Sequence, residues 1–326
     1  MIPLLCVLAI VSQGCDSFQF RTGMVNGPSS QQGGDNPSGG NDPSGGNPGP
    51  GEAPSLSGLV KTITKDYYMV GTSAKEYKSM QEVTTVEYGT DGRVSLETTV
   101  NRSYDENGVE SSEGALTSRQ YHYYLPGGKY ERRNHPEEET AYLKAEMNGD
   151  GLFSKAVSGY FRSGQWNTNS TTTYTYGTIP GLSGSYILTA ESEGNHAYPW
   201  EFEWDSKGNL TRAREHNPKA ADDPDEDGTL AYSYTTDANP TLGKAYDISG
   251  LLLEGVDPYG LQGRGSANLP LYANTYLRNR KMDFSYEWNR DKTVLSRVEV
   301  IIRPFADDSE MKTVVRRHVY TFTYYE

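Results

Sequence analysis

The segment EFEWDSKGNL, residues 201–210, carries the pattern that decides the fold. Phe202 and Trp204 alternate with Glu201 and Glu203, so that one row of side chains lies on each face of a strand. A polar turn that can reach positive φ follows, and an apolar residue begins the return strand. The segment therefore predicts an antiparallel hairpin.

The same pattern recurs along the chain. Alternating rows occur in FSYEW (residues 284–288), in YTFTY (320–324) and at Val298, Val300 and Ile302. Related turns read YGTDGRV (88–94), WNRDKTV (288–294), YTTDANP (234–240) and YDENG (104–108). We therefore predict an all-β fold, an antiparallel up-and-down meander that forms a barrel-like or half-barrel sheet, within one β-rich domain over residues 55–326.

One or two short helices are expected beside the strands. Pro136–Met147 begins with proline and three glutamates and is followed by Gly149, which is typical of a helix start and stop. Ser73 and Glu76 are spaced as a capping box for a shorter helix. We interpret Ile248–Leu253 as a buried strand, followed by a long Gly-rich loop over residues 255–265.

Composition excludes several classes of protein. The net charge is −13, which disfavours binding to nucleic acid or to an anionic membrane surface. Hydrophobic residues make up 35% of the chain, whereas there are 25 tyrosines, so a thin or open β structure fits better than a thick aliphatic core. Both cysteines, Cys6 and Cys15, lie near the N-terminus, which excludes cysteine-based zinc sites in the β domain.

The N-terminus predicts export and lipidation. Residues 2–11 form an apolar run that is too short to span a bilayer and suits a signal peptide, here residues 1–14. Gly14 precedes Cys15 directly, as in a lipoprotein signal, although Ser12 stands where leucine is usual. We expect cleavage before Cys15 and acylation of its sulfur. The alternative is a buried N-terminal segment with an ordinary cysteine.

Residues 15–54 predict a tether. From Gly27 to Pro54 the chain consists almost entirely of Gly, Ser, Pro, Asn and Asp, and NPSGG is echoed six residues later by DPSGG. Such a segment has little apolar surface to bury and is expected to be disordered. As a random coil it would hold the domain about 35 Å from the lipid anchor.

These features together resemble a family of Bacteroidota envelope lipoproteins, the domain of unknown function 4595. The resemblance rests on FEWDSKGNL (202–210), DISG (247–250), SANLP (266–270) and YTFTYY (320–325), and it covers residues 80–326. It implies a porin-like, barrel-shaped sheet and carries no activity or site residue. A bacterial envelope location, lipid-anchored at the outer membrane, follows as an expectation. The strands' second row is polar, so we expect a water-facing outside.

An acidic loop is the best candidate metal site. Asp223, Asp225 and Asp227, followed by Gly228, match the first half of a calcium loop, but the twelfth position is Tyr234 where a bidentate glutamate is needed. Calcium is therefore one interpretation, and an acidic solvated loop without a cofactor is the other.

Tryptophan rows offer a candidate ligand surface. Trp166, Trp200, Trp204 and Trp288 could form a platform that stacks on sugar rings. At a period of two residues, aromatic side chains also form the core of a sheet, and both interpretations stay open.

No catalytic motif is recognisable. The five histidines lack metal-ligand spacing, and no nucleophile elbow, P-loop or dinucleotide fingerprint occurs. We expect a non-enzymatic envelope lipoprotein that binds a glycan or an envelope protein. The alternatives are a structural or assembly component of the envelope and, less favoured, a glycan hydrolase with a carboxylate pair.

Overall fold

The computed structural model describes residues 54–70, 75–112, 114–194, 198–216, 229–253, 256–275, 280–304 and 316–326. Within these residues there are sixteen strands and one α-helix, so the predicted all-β fold is confirmed. The strands are β1 Val60–Val70, β2 Glu76–Tyr88, β3 Val94–Ser103, β4 Leu116–Leu125, β5 Lys129–Arg133, β6 Ala141–Met147, β7 Phe153–Arg162, β8 Gln165–Gly177, β9 Tyr186–Gly194, β10 Trp200–Trp204, β11 Leu210–Glu215, β12 Thr229–Ala238, β13 Asn268–Thr275, β14 Arg280–Trp288, β15 Leu295–Pro304 and β16 Arg316–Tyr324.

The sheet closes on itself. Each strand pairs antiparallel with the next one along the chain, and β16 pairs with β1 to complete a barrel. Tyr67 of β1 lies opposite Met80 of β2 on one side and His318 of β16 on the other. The predicted meander is therefore a full barrel, and no strand of the sheet lacks a neighbour on either side.

The register separates an inward row from an outward row. Phe284 of β14 lies opposite Val300 of β15, and Val300 lies opposite His318 of β16. All three are buried, so this row faces the interior. The adjacent positions of the same strands carry charged side chains on the outside, where Arg297 contacts Glu287 and also lies 2.7 Å from Glu299.

The predicted turns at residues 88–94, 204–210 and 288–294 lie at one end of the barrel, whereas the turn at residues 104–108 follows β3 at the other end. Gly92 and Gly208 have φ values of 75° and 85°, which other residues adopt with difficulty. The turn that lacks glycine uses Lys292 at a φ of 55°. In the 205–209 turn the Asp205 carboxylate accepts bonds from the Lys207 and Asn209 amides at 2.8 and 2.9 Å. The aspartate side chain thus stabilises the turn that joins β10 to β11.

The described residues between β12 and β13, 239–253 and 256–267, which we call the inserted segment, enter the barrel at this same end. Its buried residues Ile248, Leu252 and Leu253 belong to the main hydrophobic core with the inward rows of β9–β16. It contacts strands in two different parts of the barrel. Beside β1, Lys244 Nζ donates to the Gly58 carbonyl at 3.0 Å. On the other side, the Phe153 amide of β7 donates to the inserted segment at 2.7 Å.

Two helix and strand predictions are wrong. Ile248–Leu253 is not a strand, because α1 spans Ile248–Leu252 and the Asp247 carboxylate caps its first turn by accepting from the Ser249 amide at 2.8 Å. All the apolar residues of this run lie inside the barrel, so the sequence does not show the alternation of apolar and polar residues that is typical of a surface helix. The long loop that follows it is confirmed over the described residues 256–265.

The helix expected over Pro136–Met147 is also wrong. Glu138–Thr140 forms a single 3₁₀ turn, and Ala141–Met147 is strand β6. Ala145 of β6 pairs with Tyr130 of β5, so a place in the sheet outweighed the local helix signals. Glu76 begins strand β2, and Ser73 lies outside the described residues.

No helix in the described part of the chain has the length and apolar character needed to cross a bilayer.

Candidate functional site: the polar wall of the lumen

Polar side chains line the barrel interior in two stretches. On β2, β3 and β4, Thr84 lies opposite Thr99, and Thr99 lies opposite Ser118, all in the inward row. The Thr84 and Thr99 hydroxyls are 2.9 Å apart. The second stretch lies on β8 and β9, and between the two the inward residues of β5–β7 form a small hydrophobic cluster around Tyr130 and Phe153. We call the whole set the polar wall: Glu82, Thr84, Thr99, Asn101, Ser118, Gln120, Ser170, Thr172 and Ser192.

The polar wall is in contact with solvent. Ser118 is exposed, and Thr84, Thr99, Gln120 and Thr172 are half-buried although they point inward. At Thr84, Thr99 and Thr172 the strand is paired on both sides, so that an inward side chain reaches water only through the lumen, whereas residues 116–120 of β4 extend beyond the pairing with β5. Barrels of sixteen strands are wide enough to enclose an aqueous space. The lumen beside the polar wall therefore admits water, whereas the main hydrophobic core lies mostly along β9–β16.

A buried polar cluster lies between the polar wall and the inserted segment. The Tyr259 hydroxyl donates to Glu97 Oε2 at 2.5 Å. His122 Nε2 lies 3.4 Å from the same oxygen without the alignment of a hydrogen bond, and its Nδ1 is 2.8 Å from the Tyr130 hydroxyl. The Arg132 guanidinium stands over the Tyr259 ring, 4.8 Å from its centroid. Five side chains from β3, β4, β5 and the inserted segment thus meet at one point.

Electrostatics explain why these groups tolerate burial. Burial alone would raise the pKa of Glu97, but His122, the Tyr259 hydroxyl and the charge of Arg132 outweigh it and hold that pKa below its usual range. Burial raises the pKa of Asp257 to about 6 against the opposing attraction of Arg132. Burial, assisted by the charge of Arg132, lowers the pKa of His122, which keeps the ring neutral. The surrounding groups thus keep Glu97 ionised, whereas for Asp257 the cost of burial outweighs the attraction of Arg132.

The cluster is better suited to holding the inserted segment than to chemistry on a substrate. Glu97 is 6% exposed, and the Asp257 side chain is 8% exposed. The Asp257 carboxylate also accepts from the Leu261 amide at 3.1 Å, which shapes its own loop. Both carboxylates are buried and already accept hydrogen bonds within the protein. The side chains of the polar wall are therefore more accessible from the lumen than these two acids.

The barrel is similar to solved structures of other proteins. A porin-like protein from Bacteroides uniformis matches with a TM-score of 0.58 and 11% sequence identity, over 82% of this chain and 98% of that chain. A putative AttH from Nitrosomonas europaea matches with a TM-score of 0.18 and 8% identity, over 85% of this chain and 98% of that chain. A TM-score this low does not indicate a shared fold. The first likeness confirms the porin-like shape that the sequence resemblance implied.

No family model and no curated protein matches the sequence. Membership of the domain of unknown function 4595 family therefore stays a prediction.

Three of the four predicted tryptophans lie against the hydrophobic core. Trp200, Trp204 and Trp288 are partly buried and pack against it, and the Trp200 ring stacks on Phe202 with centroids 6.1 Å apart. The Trp204 indole N–H donates to the Ile187 carbonyl at 2.7 Å. These rings are thus fixed in the barrel rather than gathered in one exposed platform.

Trp204 also borders a shallow cleft outside the core. The cleft has a volume of about 400 Å³ and is lined by Gly177, Thr178, Ile179, Pro180, Tyr186, Leu188, Trp204, Asp205 and Ser206. The Tyr186 ring meets Trp204 edge-on at a centroid distance of 5.0 Å. The Asp205 carboxylate already caps its turn, so the cleft offers mainly apolar surface.

The fourth tryptophan lies apart from the others. Trp166 contacts Phe161 with ring centroids 5.4 Å apart, and Lys144 Nζ lies 5.2 Å from its centroid. A Cβ atom on Gly159 would come within 2.6 Å of the Trp166 ring, so this ring covers a glycine of the neighbouring strand. Its position is that of a packed outer-wall residue.

The remaining predicted sites fall outside the described residues. These are the lipidation site Cys15 and the acidic loop with Asp223, Asp225 and Asp227. Among the described residues, no group of three or more His, Asp or Glu side chains is arranged to hold a metal ion.

Sequence reasoning missed both the polar wall and the buried polar cluster. The signal for the first was present as Thr, Ser, Asn and Gln at every second position of β3, β4 and β8, but nothing showed which row faces inward. The cluster joins Glu97 to Tyr259 over 162 positions, a contact that no local pattern encodes.

Proposed function

We propose that the protein is a lipid-anchored envelope protein whose barrel acts as a cup that binds a hydroxyl-rich ligand, such as a glycan, along the polar wall. The observation that carries the proposal is the half-exposed inward row of Thr, Ser, Asn and Gln side chains. Such groups both donate and accept hydrogen bonds and complement sugar hydroxyls without demanding a charge.

The shape of the barrel supports a cup rather than a channel. The inserted segment occupies one end of the barrel, with its apolar residues in the core and its polar residues in the buried cluster. The lumen beside the polar wall therefore has a floor. A ligand that enters from the other end cannot pass through the barrel. Such a shape favours binding of the ligand over its transport.

The N-terminal sequence supports the location. A signal peptide over residues 1–14, acylation of Cys15 and a tether to residue 54 would place the cup in the bacterial envelope, most simply at the outer membrane, and give it room to move. A porin-like fold in a Bacteroides protein is compatible with this setting.

Ligand binding is the test. Isothermal titration calorimetry of the purified protein with a panel of neutral oligosaccharides should find at least one that binds and raises the melting temperature. Thr99→Val should weaken that binding several-fold, because one wall hydroxyl is lost while the volume stays nearly constant.

Thr98→Val is the matched control. Thr98 is the next residue of β3, in the outward row opposite Arg119, so its substitution should leave the affinity unchanged. Equal effects of the two substitutions, or no binding by any sugar, would refute the cup and favour a structural role in the envelope. Release of reducing ends from the bound sugar would instead favour the hydrolase alternative.

A further inference from the structure

The wall of the barrel is lower between β4 and β7 than on either side of them. β4 pairs with β5 only over residues 121–125, so residues 116–120 have β3 on one side and no strand of the described chain on the other. On β7 the pairing with β6 ends at Ser158, so residues 159–162 have only β8 as a neighbour. β5 and β6 are short, with five and seven residues. We call the gap above them, between residues 116–120 and 159–162, the notch.

The chain that joins β5 to β6 lies outside the notch. It folds back against the outer face of the barrel, where the Pro136 carbonyl accepts from the Tyr123 hydroxyl at 3.3 Å and from Arg133 at 2.9 Å. Because neighbouring strands lie about 4.8 Å apart, β4 and β7 are separated by roughly 14 Å at the base of the notch. The notch is therefore an opening in the side of the barrel, continuous with its mouth.

Tyr160 lies on the inner face of the β7 flank. The buried Ala156 and Ser158 face inward, and alternation along the strand puts Tyr160 in the same row. Gly159 faces outward, because a Cβ atom there would come within 2.6 Å of the Trp166 ring on the outer wall. Tyr160 is 45% exposed, so its ring is accessible at the edge of the notch.

Polar groups lie next to this ring. Asn167 of β8 lies opposite Tyr160 and shares its face, and its Nδ2 donates to the Gln165 carbonyl at 3.0 Å, which orients the amide. Further into the barrel, the Ser158 and Ser170 hydroxyls are 2.6 Å apart. A sugar ring can pack its C–H face on an aromatic side chain while neighbouring amide and hydroxyl groups bind its hydroxyls.

The notch lies between the two stretches of the polar wall. Ser118 and Gln120 of the first stretch form the β4 flank, and Ser170 of the second stretch lies behind the β7 flank. A cup with an unbroken wall and a floor holds only the end of a stiff chain, because the rest of the chain must leave by the mouth. With a gap in the wall, a chain can enter by the mouth and leave through the side.

A peptide fits the notch less well than a glycan. The edge of residues 116–120 can pair with an added strand. Recognition of that kind uses pockets for alternate side chains of the peptide, whereas residues 116–119 are exposed on both faces of β4. The ring of Tyr160 and the serine hydroxyls lie on the opposite flank, where such a strand would not reach them.

We propose that the notch is a side exit for a glycan chain, so that the cup binds internal segments of a polysaccharide and one sugar ring of the chain packs on Tyr160. This inference rests on the proposed function and names the class of its ligand.

The test begins with affinity electrophoresis. The purified protein is run in native gels that contain soluble glucan, mannan or xylan, polysaccharides in which chain ends are rare, and its mobility is compared with that in an empty gel. We expect at least one of them to retard the protein. Calorimetric titration with the trisaccharide and hexasaccharide of the same sugar should then show tighter binding of the hexasaccharide, because only the longer chain reaches Tyr160.

Matched variants separate the notch from the rest of the cup. Tyr160→Ala should weaken binding of the hexasaccharide about five- to tenfold and leave binding of the trisaccharide nearly unchanged, because one aromatic contact is lost. Tyr160→Phe keeps the ring and should keep the affinity. Thr99→Val changes the polar wall and should weaken both sugars. Leu271→Ala, which changes a 49% exposed residue of β13, should alter neither.

The outcomes are distinct. Binding of the oligosaccharides without retardation by their polysaccharide would show that the cup takes chain ends alone, which overturns the side exit and leaves the cup standing. No binding of any sugar overturns both. An equal loss of affinity for the two lengths in Tyr160→Ala, or the same loss in Leu271→Ala, would also overturn the role of the notch.

Discussion

The hydroxyl of Tyr259 should be worth more to stability than an ordinary tyrosine hydroxyl of this barrel. It donates at 2.5 Å to Glu97, a carboxylate with 6% exposure, and it is the bond that ties the inserted segment to strand β3. Tyr259→Phe removes this bond, keeps the ring and its stacking, and leaves a buried charge with one donor fewer.

The magnitude follows from the charge on the acceptor. A hydrogen bond to a charged group contributes about 1.5–3 kcal/mol, against about 1 kcal/mol for a neutral pair. Tyr259→Phe should therefore lower the free energy of unfolding by about 2 kcal/mol. Tyr88→Phe is the control, because the Tyr88 hydroxyl donates at 2.8 Å to a neutral acceptor, the Val60 carbonyl, and should cost about 1 kcal/mol.

Urea denaturation at pH 7.5, followed by tryptophan fluorescence, measures both variants. A double-mutant cycle with Glu97→Gln then isolates the pair, and the cost of Tyr259→Phe should fall by about 1 kcal/mol when the acceptor is neutral. A Tyr259→Phe variant that is no less stable than Tyr88→Phe, or a cycle with no coupling, would show that the cluster does not hold the inserted segment.

Three further predictions concern other parts of the chain. Gly265→Ala should destabilise the fold by several kcal/mol, because a Cβ there would come 2.2 Å from the capping Asp247 carboxylate, whereas Gly149→Ala, with nothing within 4 Å, should be nearly neutral in the same melting experiment. Burial raises the pKa of Asp257 to about 6, so the folded state takes up a proton before the unfolded one and this group adds stability as pH falls from about 6 toward 4. The Asp257→Asn variant cannot gain this stability, so its urea midpoint should fall more between pH 7.5 and pH 5 than the midpoint of the wild type. An equal change in both proteins would contradict the raised pKa of Asp257. Cys15→Ser should abolish incorporation of radiolabelled palmitate, and labelling that persists would refute the lipoprotein prediction.

Local periodicity predicted the strands well. The rows around Phe202, Phe284 and Phe322 alternate with polar residues, and all three phenylalanines are buried in the core. The turn at residues 205–209 was equally readable, because aspartate and glycine have specific roles at fixed positions of a tight turn. In such segments the local preference and the final environment agree.

The failures occurred where the environment overruled the local preference. Pro136–Met147 has the end signals of a helix, but Ala145 completes the ladder between β5 and β7, and only the register of its neighbours reveals that role. Ile248–Leu252 is buried on nearly every side because it lies inside the barrel, so its helix left no amphipathic pattern.

The sequence by itself determined the all-β class, the hairpin order and the turn positions, because each depends on residues within about ten positions of one another. Only the tertiary structure decided that sixteen strands close into a barrel, which row faces inward, and that residues 239–267 fill one end. Closure brings β1 against β16 and places Lys65 beside Tyr320, and the entry of the inserted segment into the barrel places Tyr259 beside Glu97. Contacts between residues so far apart in sequence have no local signature, which is why both the polar wall and the buried polar cluster had to be found in the folded molecule.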